Sequence, residues 1–209
     1  MQIHKLNILY VEPFYSGSHK QWIDSYQAYS KHNVQILSLP GKKWKWRMHG
    51  GAITLAEEYN KLKNKFDIVL CSDMLNLPVF KTLCDESLSY SKVVMYFHEN
   101  QLSYPWSPLD QDLVLKRDLH YYYINYTSSL ISDYNYFNSN YHLTSYIDGL
   151  KKYLKKMPDF RNMDTIELID NKSSVLSIGC ELNKEKNINK KSNSPIILWN
   201  HRWEYDKNP

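Results

Sequence analysis

Short apolar segments alternate with segments of helical periodicity along most of this chain, and this alternation restricts the fold more than any other feature. The apolar segments are nearly continuous hydrophobic runs, which are typical of strands buried on both faces. They span residues 7–14, 34–39, 67–73, 92–97, 134–137 and 174–178. Helical periodicity predicts helices between them at 18–31, 51–63, 77–83 and 113–132. We therefore expect an α/β fold in which helices cover both faces of a parallel sheet.

The composition changes near residue 181. Residues 182–194 are rich in Lys, Asn and Ser and lack apolar periodicity, and a further apolar segment follows at 195–199. We predict a first domain over 1–181, a linker over 182–194 and the start of a second domain over 195–209. The fifteen or so residues after the linker are too few to bury a core of their own, in line with roughly 40 residues as a lower limit.

Charge and hydrophobicity exclude several classes of protein. The 209 residues contain 26 Lys and Arg against 22 Asp and Glu, and 43% are hydrophobic. That composition excludes disorder over the whole chain, and the mild excess of positive charge matters only where it clusters. We expect no membrane span and no signal peptide. Cys71, Cys84 and Cys180 lack the close spacing of a zinc or redox motif, so we expect the cytoplasm.

Ligands of open parallel sheets bind beyond the carboxyl ends of the strands, so the loops there are the candidate site. After the first strand, Gly17 and Ser18 lie where the chain turns into a helix. Free backbone N–H groups and the helix dipole suit a phosphate or sugar oxygen at such a position. The alternative is a helix cap without a ligand.

A cationic and aromatic cluster follows the second strand. It consists of Lys42, Lys43, Trp44, Lys45, Trp46 and Arg47. Cations bind phosphates and indole rings stack on exposed bases, so the cluster is typical of a nucleic-acid contact. In the alternative, both indoles pack inward and the lysines remain solvated.

Four polar residues follow the fourth strand, at 98–101. His98 can donate to a developing charge or exchange a proton near neutral pH, and Glu99 can accept from a hydroxyl group. We predict that this segment, including Asn100, forms a wall of the active site; the alternative is a turn whose side chains bond to the backbone. At the end of the chain, Arg202 and Lys207 could bind a diphosphate or be surface cations.

Four motifs together resemble the tRNA-queuosine α-mannosyltransferase family. They are VEPFYSGSHKQ at 11–21, LPGKKWKWR at 39–47, YFHENQL at 96–102 and HRWEYDKNP at 201–209. The resemblance implies the Rossmann-like N-terminal domain of a two-domain, B-type, retaining glycosyltransferase. Such an enzyme transfers mannose from GDP-mannose to queuosine in tRNA and requires no metal. One difference is that Ser16 and Gly17 stand where the family pattern has two consecutive glycines.

The resemblance also implies roles for individual residues. His98 and Glu99 would be catalytic, and Gly17, Ser18, Asn100, Arg202 and Lys207 would contact the donor. The cluster at 42–47 would bind the tRNA. Because the family's carboxylate-bearing nucleotide-sugar site lies in the second domain, we expect no turnover from these residues alone. Two alternatives remain open: a non-catalytic module that binds RNA or phosphate, and a glycosyltransferase with another acceptor.

Overall fold

The computed structural model describes residues 4–115, 117 and 119–179, together with residues 194, 197, 198 and 200. Within these residues, six strands form one sheet in which every neighbouring pair is parallel. The strands are β1 (Asn7–Tyr15), β2 (Asn33–Pro40), β3 (Ile68–Ser72), β4 (Lys92–Phe97), β5 (Tyr134–Phe137) and β6 (Ser173–Val175). This confirms the predicted α/β fold with a Rossmann-like parallel sheet.

The helices connect successive strands. They are α1 (Gly17–Tyr29), α2 (Trp44–Lys61), α3 (Leu77–Leu83), α4 (Gln111–Val114), α5 (Leu119–Ile131), α6 (Asn140–Leu154) and α7 (Thr165–Asp170). A short 3₁₀ helix, Glu86–Tyr90, precedes β4. None of the helices in the described part of the chain is long and apolar enough to cross a membrane.

The sheet order is β2-β1-β3-β4-β5-β6, so the winding direction reverses between β1 and β3. The chain moves from β1 to β2 in one direction, and every later crossover moves in the other. At such a switch point the two adjacent loops diverge and leave a crevice at the carboxyl ends of the strands. The candidate site described below lies at this crevice.

Alternate side chains of each strand point to opposite sides of the sheet. The two sides of β1 therefore pack into two different cores. Leu9 and Val11 of β1 belong to the larger core, which also receives apolar residues of α2, α3, α5, α6 and α7. Ile8 and Tyr10 belong to the smaller core on the other side, together with Ile23 of α1. Burial on both sides explains why β1 is apolar without an alternating pattern.

Helix α2 begins seven residues earlier than predicted, at Trp44 instead of residue 51. Its N-cap is Lys43, whose φ of 57° is in the left-handed region. Gly50 lies inside the helix, under the indole of Trp46; a Cβ there would be 2.7 Å from that ring. The predicted start was wrong because Gly50 and Gly51 do not mark the end of a loop: both are buried inside the helix.

The single helix predicted over 113–132 is two helices, α4 and α5. Asp110 caps α4 by accepting from the backbone N–H of Asp112, and both carboxylates bind Lys45. These contacts fix α4 against α2, and Leu115 of the predicted apolar stripe is left 51% exposed. The last strand is also shorter than predicted, since β6 ends at Val175. The predicted linker and second-domain start lie almost wholly outside the described residues.

Candidate functional site

Four side chains from different elements meet at the crevice between β1 and β3. Glu12 lies on β1, His19 in the first turn of α1, Asp73 directly after β3 and His98 directly after β4. Their ends converge because the carboxyl ends of parallel strands lie at the same edge of the sheet. The topology therefore brings together residues that are up to 86 positions apart, from Glu12 to His98.

Glu12 is a fully buried carboxylate at the end of an apolar strand. The pairing of β1 with β2 shifts register between Glu12 and Tyr15, which leaves the backbone N–H of Phe14 free to donate to Glu12 Oε1 at 2.8 Å. Ser72 Oγ donates to the same oxygen at 3.0 Å, and His19 Nδ1 lies 3.0 Å from Oε2. These partners replace the water that the carboxylate loses on burial.

His19 carries a positive charge at neutral pH. Burial alone would lower its pKa, but the hydrogen bond and the negative charge of Glu12, with smaller effects of Asp73 and Glu99, raise the pKa to about 9. The side chain is 6% exposed. The candidate site therefore contains a fixed cation close to the N-terminus of α1, where the backbone N–H groups also favour an anion.

His98 is held on several sides. Its backbone N–H donates to Asp73 Oδ1 at 2.8 Å, and its carbonyl oxygen accepts from Asn138 Nδ2 at 2.9 Å. Its Nε2 lies 3.0 Å from the Tyr10 hydroxyl, and its ring centroid is 4.2 Å from that of His19. Burial and the charges of His19 and His142 hold the pKa of His98 well below its usual value, so the ring is neutral.

Asp73 is fully buried, and its second oxygen, Oδ2, has no hydrogen-bond partner among the described residues. Burial raises the pKa of Asp73 to about 7; the positive charge of His19 opposes this, and the charge of Glu99 adds to it. Asn125 fixes the adjacent backbone, because its Nδ2 donates to the Asp73 carbonyl oxygen at 2.9 Å. A buried carboxyl with one unsatisfied oxygen is typical of a functional site.

Ligand atoms of Glu12, His19 and His98 lie within 4.8 Å of one another, so their suitability for a metal ion has to be considered. His19 Nδ1 and both Glu12 oxygens already take part in hydrogen bonds, and His98 Nε2 is bound to Tyr10. A metal ion held through those atoms would have to displace these bonds, whereas one held through His98 Nδ1 would not. In the structure these residues form a hydrogen-bonded network.

The predicted residues at the first glycine turn lie next to this network. Gly17 begins α1 with a φ of 53°, which a side chain would strain, and Ser18 is exposed at the N-terminus of the helix. A Cβ on Gly41 would be 2.1 Å from Ser16 Cβ, so glycine at this position allows the loop after β2 to reach the turn after β1. His19 connects this turn to the segment after β4, because its ring centroid is 4.2 Å from that of His98.

The predicted active-site segment after β4, residues 98–101, is held by hydrogen bonds within its own turn. Asn100 is 2% exposed, and its Oδ1 accepts from the backbone N–H and the hydroxyl of Ser103. Glu99 acts on the site through its charge, which raises the pKa values of His19 and Asp73. Asn100 thus stabilises the turn, in the way that the alternative interpretation described, and its donor-binding role stays a prediction.

The cationic cluster divides into two sets. Trp44 is packed against Tyr121 and Trp106, with ring centroids 5.1 and 6.2 Å away, and Lys45 binds Asp110 and Asp112 at 2.6 Å each. Trp46 is 64% exposed, and Lys42 and Lys43 are exposed. Arg47 donates from Nε to the Pro40 carbonyl oxygen at 3.1 Å. Arg202 and Lys207, predicted to bind a diphosphate, lie outside the described residues.

The sequence analysis missed Tyr10, Glu12, His19 and Asp73. Two signals were available: Glu12 is a charged residue inside an apolar strand, and Asp73 follows a buried strand at a predicted ligand-binding edge. Tyr10 gave no signal, because a tyrosine in a buried strand is ordinarily a core residue. His19 was read only as part of a turn.

A doubly wound parallel sheet with charged side chains buried at its switch point defines an α/β domain of the ligand-binding, Rossmann-like class. Comparison with known proteins identifies the family. Residues 7–180 match the family model of the tRNA-queuosine alpha-mannosyltransferase N-terminal region. The chain is also 34% identical over 220 aligned residues to the tRNA-queuosine alpha-mannosyltransferase of Drosophila melanogaster. The chain therefore belongs to the tRNA-queuosine alpha-mannosyltransferase family. The alignment covers all of this chain and 56% of the Drosophila protein.

Proposed function

We propose that this chain is the acceptor-side part of a retaining glycosyltransferase that transfers mannose from GDP-mannose to queuosine in tRNA. The single observation that carries the proposal is the family match over residues 7–180, which includes every described member of the site. The network at the switch point supports it, since it lies where ligands of this fold bind. In a B-type enzyme, transfer requires a donor-binding domain as well as this one.

The crevice supplies groups suited to a sugar diphosphate. The charge of His19 and the N–H groups at the start of α1 favour a leaving diphosphate, and this fixed charge would serve in place of a metal. His98 lies beside His19 and is rigidly held, which suits contact with the transferred sugar. Arg202 and Lys207 are proposed to bind the diphosphate from the second domain.

The tRNA is proposed to bind beside the crevice, at the exposed part of the cationic cluster. Lys42 and Lys43 are solvent-exposed, and Trp46 offers a large ring face at the beginning of α2. Charges on the rim contact phosphates, and the ring stacks on an unpaired base of the anticodon loop. Because the proposed acceptor is tRNA, the proposed compartment is the cytoplasm.

A chimera tests the proposed function. This chain replaces the aligned part of the Drosophila protein, whose remaining part supplies a donor-binding domain. The chimera is incubated with queuosine-containing tRNA and radiolabelled GDP-mannose, and UDP-sugars are the alternative donors. We expect mannose on the queuosine nucleoside, with retention of the anomeric configuration.

Two controls make the result interpretable. A His98→Ala chimera should fold and bind tRNA but transfer far less mannose, and tRNA that lacks queuosine should accept none. Failure of a folded, tRNA-binding chimera with every donor would contradict the proposal. Binding of tRNA without transfer, together with an unmodified parent that is active, would favour a non-catalytic RNA-binding module.

A further inference from the structure

The Tyr10 hydroxyl is buried in the middle of the domain and has a single hydrogen-bond partner among the described residues. Tyr10 lies on β1, is 0% exposed, and its hydroxyl oxygen is 3.0 Å from His98 Nε2. Burial, together with the negative charges of Glu12 and Asp73, raises the pKa of Tyr10 well above its usual value. The hydroxyl therefore keeps its proton, and that proton requires an acceptor.

The direction of this hydrogen bond follows from the shortage of acceptors. If His98 Nε2 carried the proton and donated to Tyr10, the hydroxyl proton of Tyr10 would have no acceptor in the described part of the chain. If Tyr10 donates to an unprotonated Nε2, the buried hydroxyl and Nε2 are both satisfied, and the ring proton is on Nδ1, which is not among the fully buried polar atoms that lack a partner. Buried donors without a partner are rare in folded proteins, so the second arrangement is favoured.

The surroundings of His98 also disfavour protonation of both ring nitrogens. The ring of His19, tilted by 36° to that of His98, already carries a positive charge, and His142 of α6 also lowers the pKa of His98. The negative groups nearby are Glu12, Asp73 and Glu99. Of these, Glu12 is bound to His19, and Asp73 Oδ1 accepts the backbone N–H of His98 and not the ring. The ring therefore carries one proton. Because Nε2 accepts from the Tyr10 hydroxyl, that proton is on Nδ1.

We propose that Tyr10 fixes His98 as the neutral tautomer protonated on Nδ1, so that the ring offers a hydrogen-bond donor, and not a base, to a sugar oxygen in the crevice. His98 Nδ1 has no hydrogen-bond partner among the described residues, so its N–H is available to a ligand. The identity of the ligand rests on the proposed function, whereas the tautomer is a property of this chain alone. Tyr10 is a positioning residue, which acts through His98.

This assignment has a consequence for the reaction. A ring whose Nδ1 already carries a proton cannot accept the proton of the attacking hydroxyl at that atom, and Nε2 is engaged with Tyr10. The hydroxyl proton must therefore pass to another acceptor, such as an oxygen of the leaving phosphate. His98 instead stabilises charge that develops on a sugar oxygen.

Nitrogen NMR of the 209-residue chain with ¹⁵N-labelled histidine tests the tautomer without any substrate. His98→Gln identifies the cross-peaks of His98. In the wild type, we expect near neutral pH an Nδ1 shift typical of a protonated nitrogen and an Nε2 shift typical of an unprotonated one. Tyr10→Phe should move the ring toward the mixture of tautomers of free imidazole, in which Nε2–H predominates.

The matched control is Tyr96→Phe. Tyr96 is in the same core and its ring is 4.9 Å from that of His98, but its hydroxyl donates to the Leu176 carbonyl oxygen. This variant should leave the His98 tautomer unchanged. An Nε2–H tautomer in the wild type, or an unchanged spectrum in folded Tyr10→Phe, would overturn the proposal. If Tyr10→Phe does not fold, the wild-type spectrum alone decides. Since no sugar or tRNA is present, these results are independent of the chimera assay.

Discussion

The rings of His19 and His98 have centroids 4.2 Å apart, but among the described residues only the His19 ring contacts a carboxylate, that of Glu12, at 3.0 Å. Two adjacent imidazoles are thereby driven to different protonation states. The carboxylate keeps His19 charged, and that charge, added to burial, keeps His98 neutral. Pairs of titratable groups whose surroundings separate their pKa values are typical of sites with divided acid, base and electrostatic roles.

Replacing His19 by Gln should therefore change the titration of its neighbour. The amide retains a donor for Glu12 but carries no charge, so we expect the pKa of His98 to rise toward its ordinary value. A titration of the ¹⁵N-labelled chain measures this directly. His4→Gln, at an exposed position, is the control and should leave His98 unaffected. An unchanged His98 titration in His19→Gln would show that the two rings do not interact electrostatically.

The same variant should alter how stability depends on pH. The pKa of His19 is raised from 6.5 to about 9 on folding, so its stabilising effect is complete below pH 6.5 and is lost as the pH rises through about 9. The difference in unfolding free energy between the wild type and His19→Gln should shrink by up to about 3 kcal/mol across that window. Urea denaturation at a series of pH values tests this. Parallel curves would contradict it.

For Asp73 the neutral form stabilises the fold, whereas for His19 the charged form does, and Asp73→Asn tests this difference. Burial raises the pKa of Asp73 from 3.8 to about 7, so the wild type loses stability as the pH rises through that interval. The variant has no proton to lose. Its stability relative to the wild type should therefore increase with pH, by up to about 4 kcal/mol in total.

The pH dependence of the difference is the informative quantity, because any fixed cost of placing an amide at position 73 cancels. Urea denaturation at several pH values between about 3 and 8 covers the interval from 3.8 to about 7. Asp170→Asn, which alters an exposed carboxyl, serves as the control and should show no such trend. A constant difference for Asp73→Asn would show that this carboxyl is ionised throughout, with an unrecognised partner.

Local patterns in the sequence were sufficient for the sheet and for the position of the crevice. The central strands β1, β3 and β4 were each predicted from a nearly continuous apolar run, which burial on both faces explains, whereas the edge strand β2 is only half-buried. The other edge strand, β6, is also only partly buried, and it ends at Val175, before the predicted residue 178. His98 was predicted as a site residue because it directly follows a buried strand.

The contacts that determine the chemistry could not be predicted from local patterns. The pairing of Glu12 with His19 depends on a register shift in β1 and on the first turn of α1. The link from Tyr10 to His98 spans 88 positions and depends on the order of the strands. Likewise, Trp44 and Trp46 are both tryptophans with nearly the same neighbours in sequence. Their different orientations depend on where α2 begins, because that determines which of the two rings points inward.

Because Trp44 is packed against other rings and Trp46 is exposed, we expect their replacement to impair stability in one case and RNA binding in the other. Trp46→Ala removes a 64% exposed ring and should weaken the binding of an anticodon stem-loop RNA by about 1–3 kcal/mol, with little loss of stability. Trp44→Ala removes a ring packed between Tyr121 and Trp106 and should cost about 2–4 kcal/mol of unfolding free energy. Fluorescence titration and urea denaturation measure the two quantities.

Tyr90→Ala is the matched control for Trp46→Ala. Tyr90 is 75% exposed but lies in the 3₁₀ helix before β4, at the opposite edge of the sheet from the crevice. Its removal should leave RNA binding unchanged. Equal effects of Trp46→Ala and Tyr90→Ala would show that the RNA does not stack at the beginning of α2.

Lys43 and Lys45 are two positions apart, and we expect them to differ in the same way. Lys43 is exposed, so Lys43→Met should reduce the slope of log Kd against log salt for RNA binding by roughly 0.7–0.9 and leave stability almost unchanged.

Lys45 is bound to Asp110 and Asp112 and lies 5.7 and 5.6 Å from the ring centroids of Trp44 and Trp106. Lys45→Met removes the cation that two partly buried carboxylates share and should cost about 1–3 kcal/mol of unfolding free energy, with the salt slope preserved. The salt dependence of binding and urea denaturation, measured on both variants, separate the two roles. A salt slope that falls as much in Lys45→Met as in Lys43→Met would mean that Lys45 exchanges its carboxylate partners for RNA phosphates on binding.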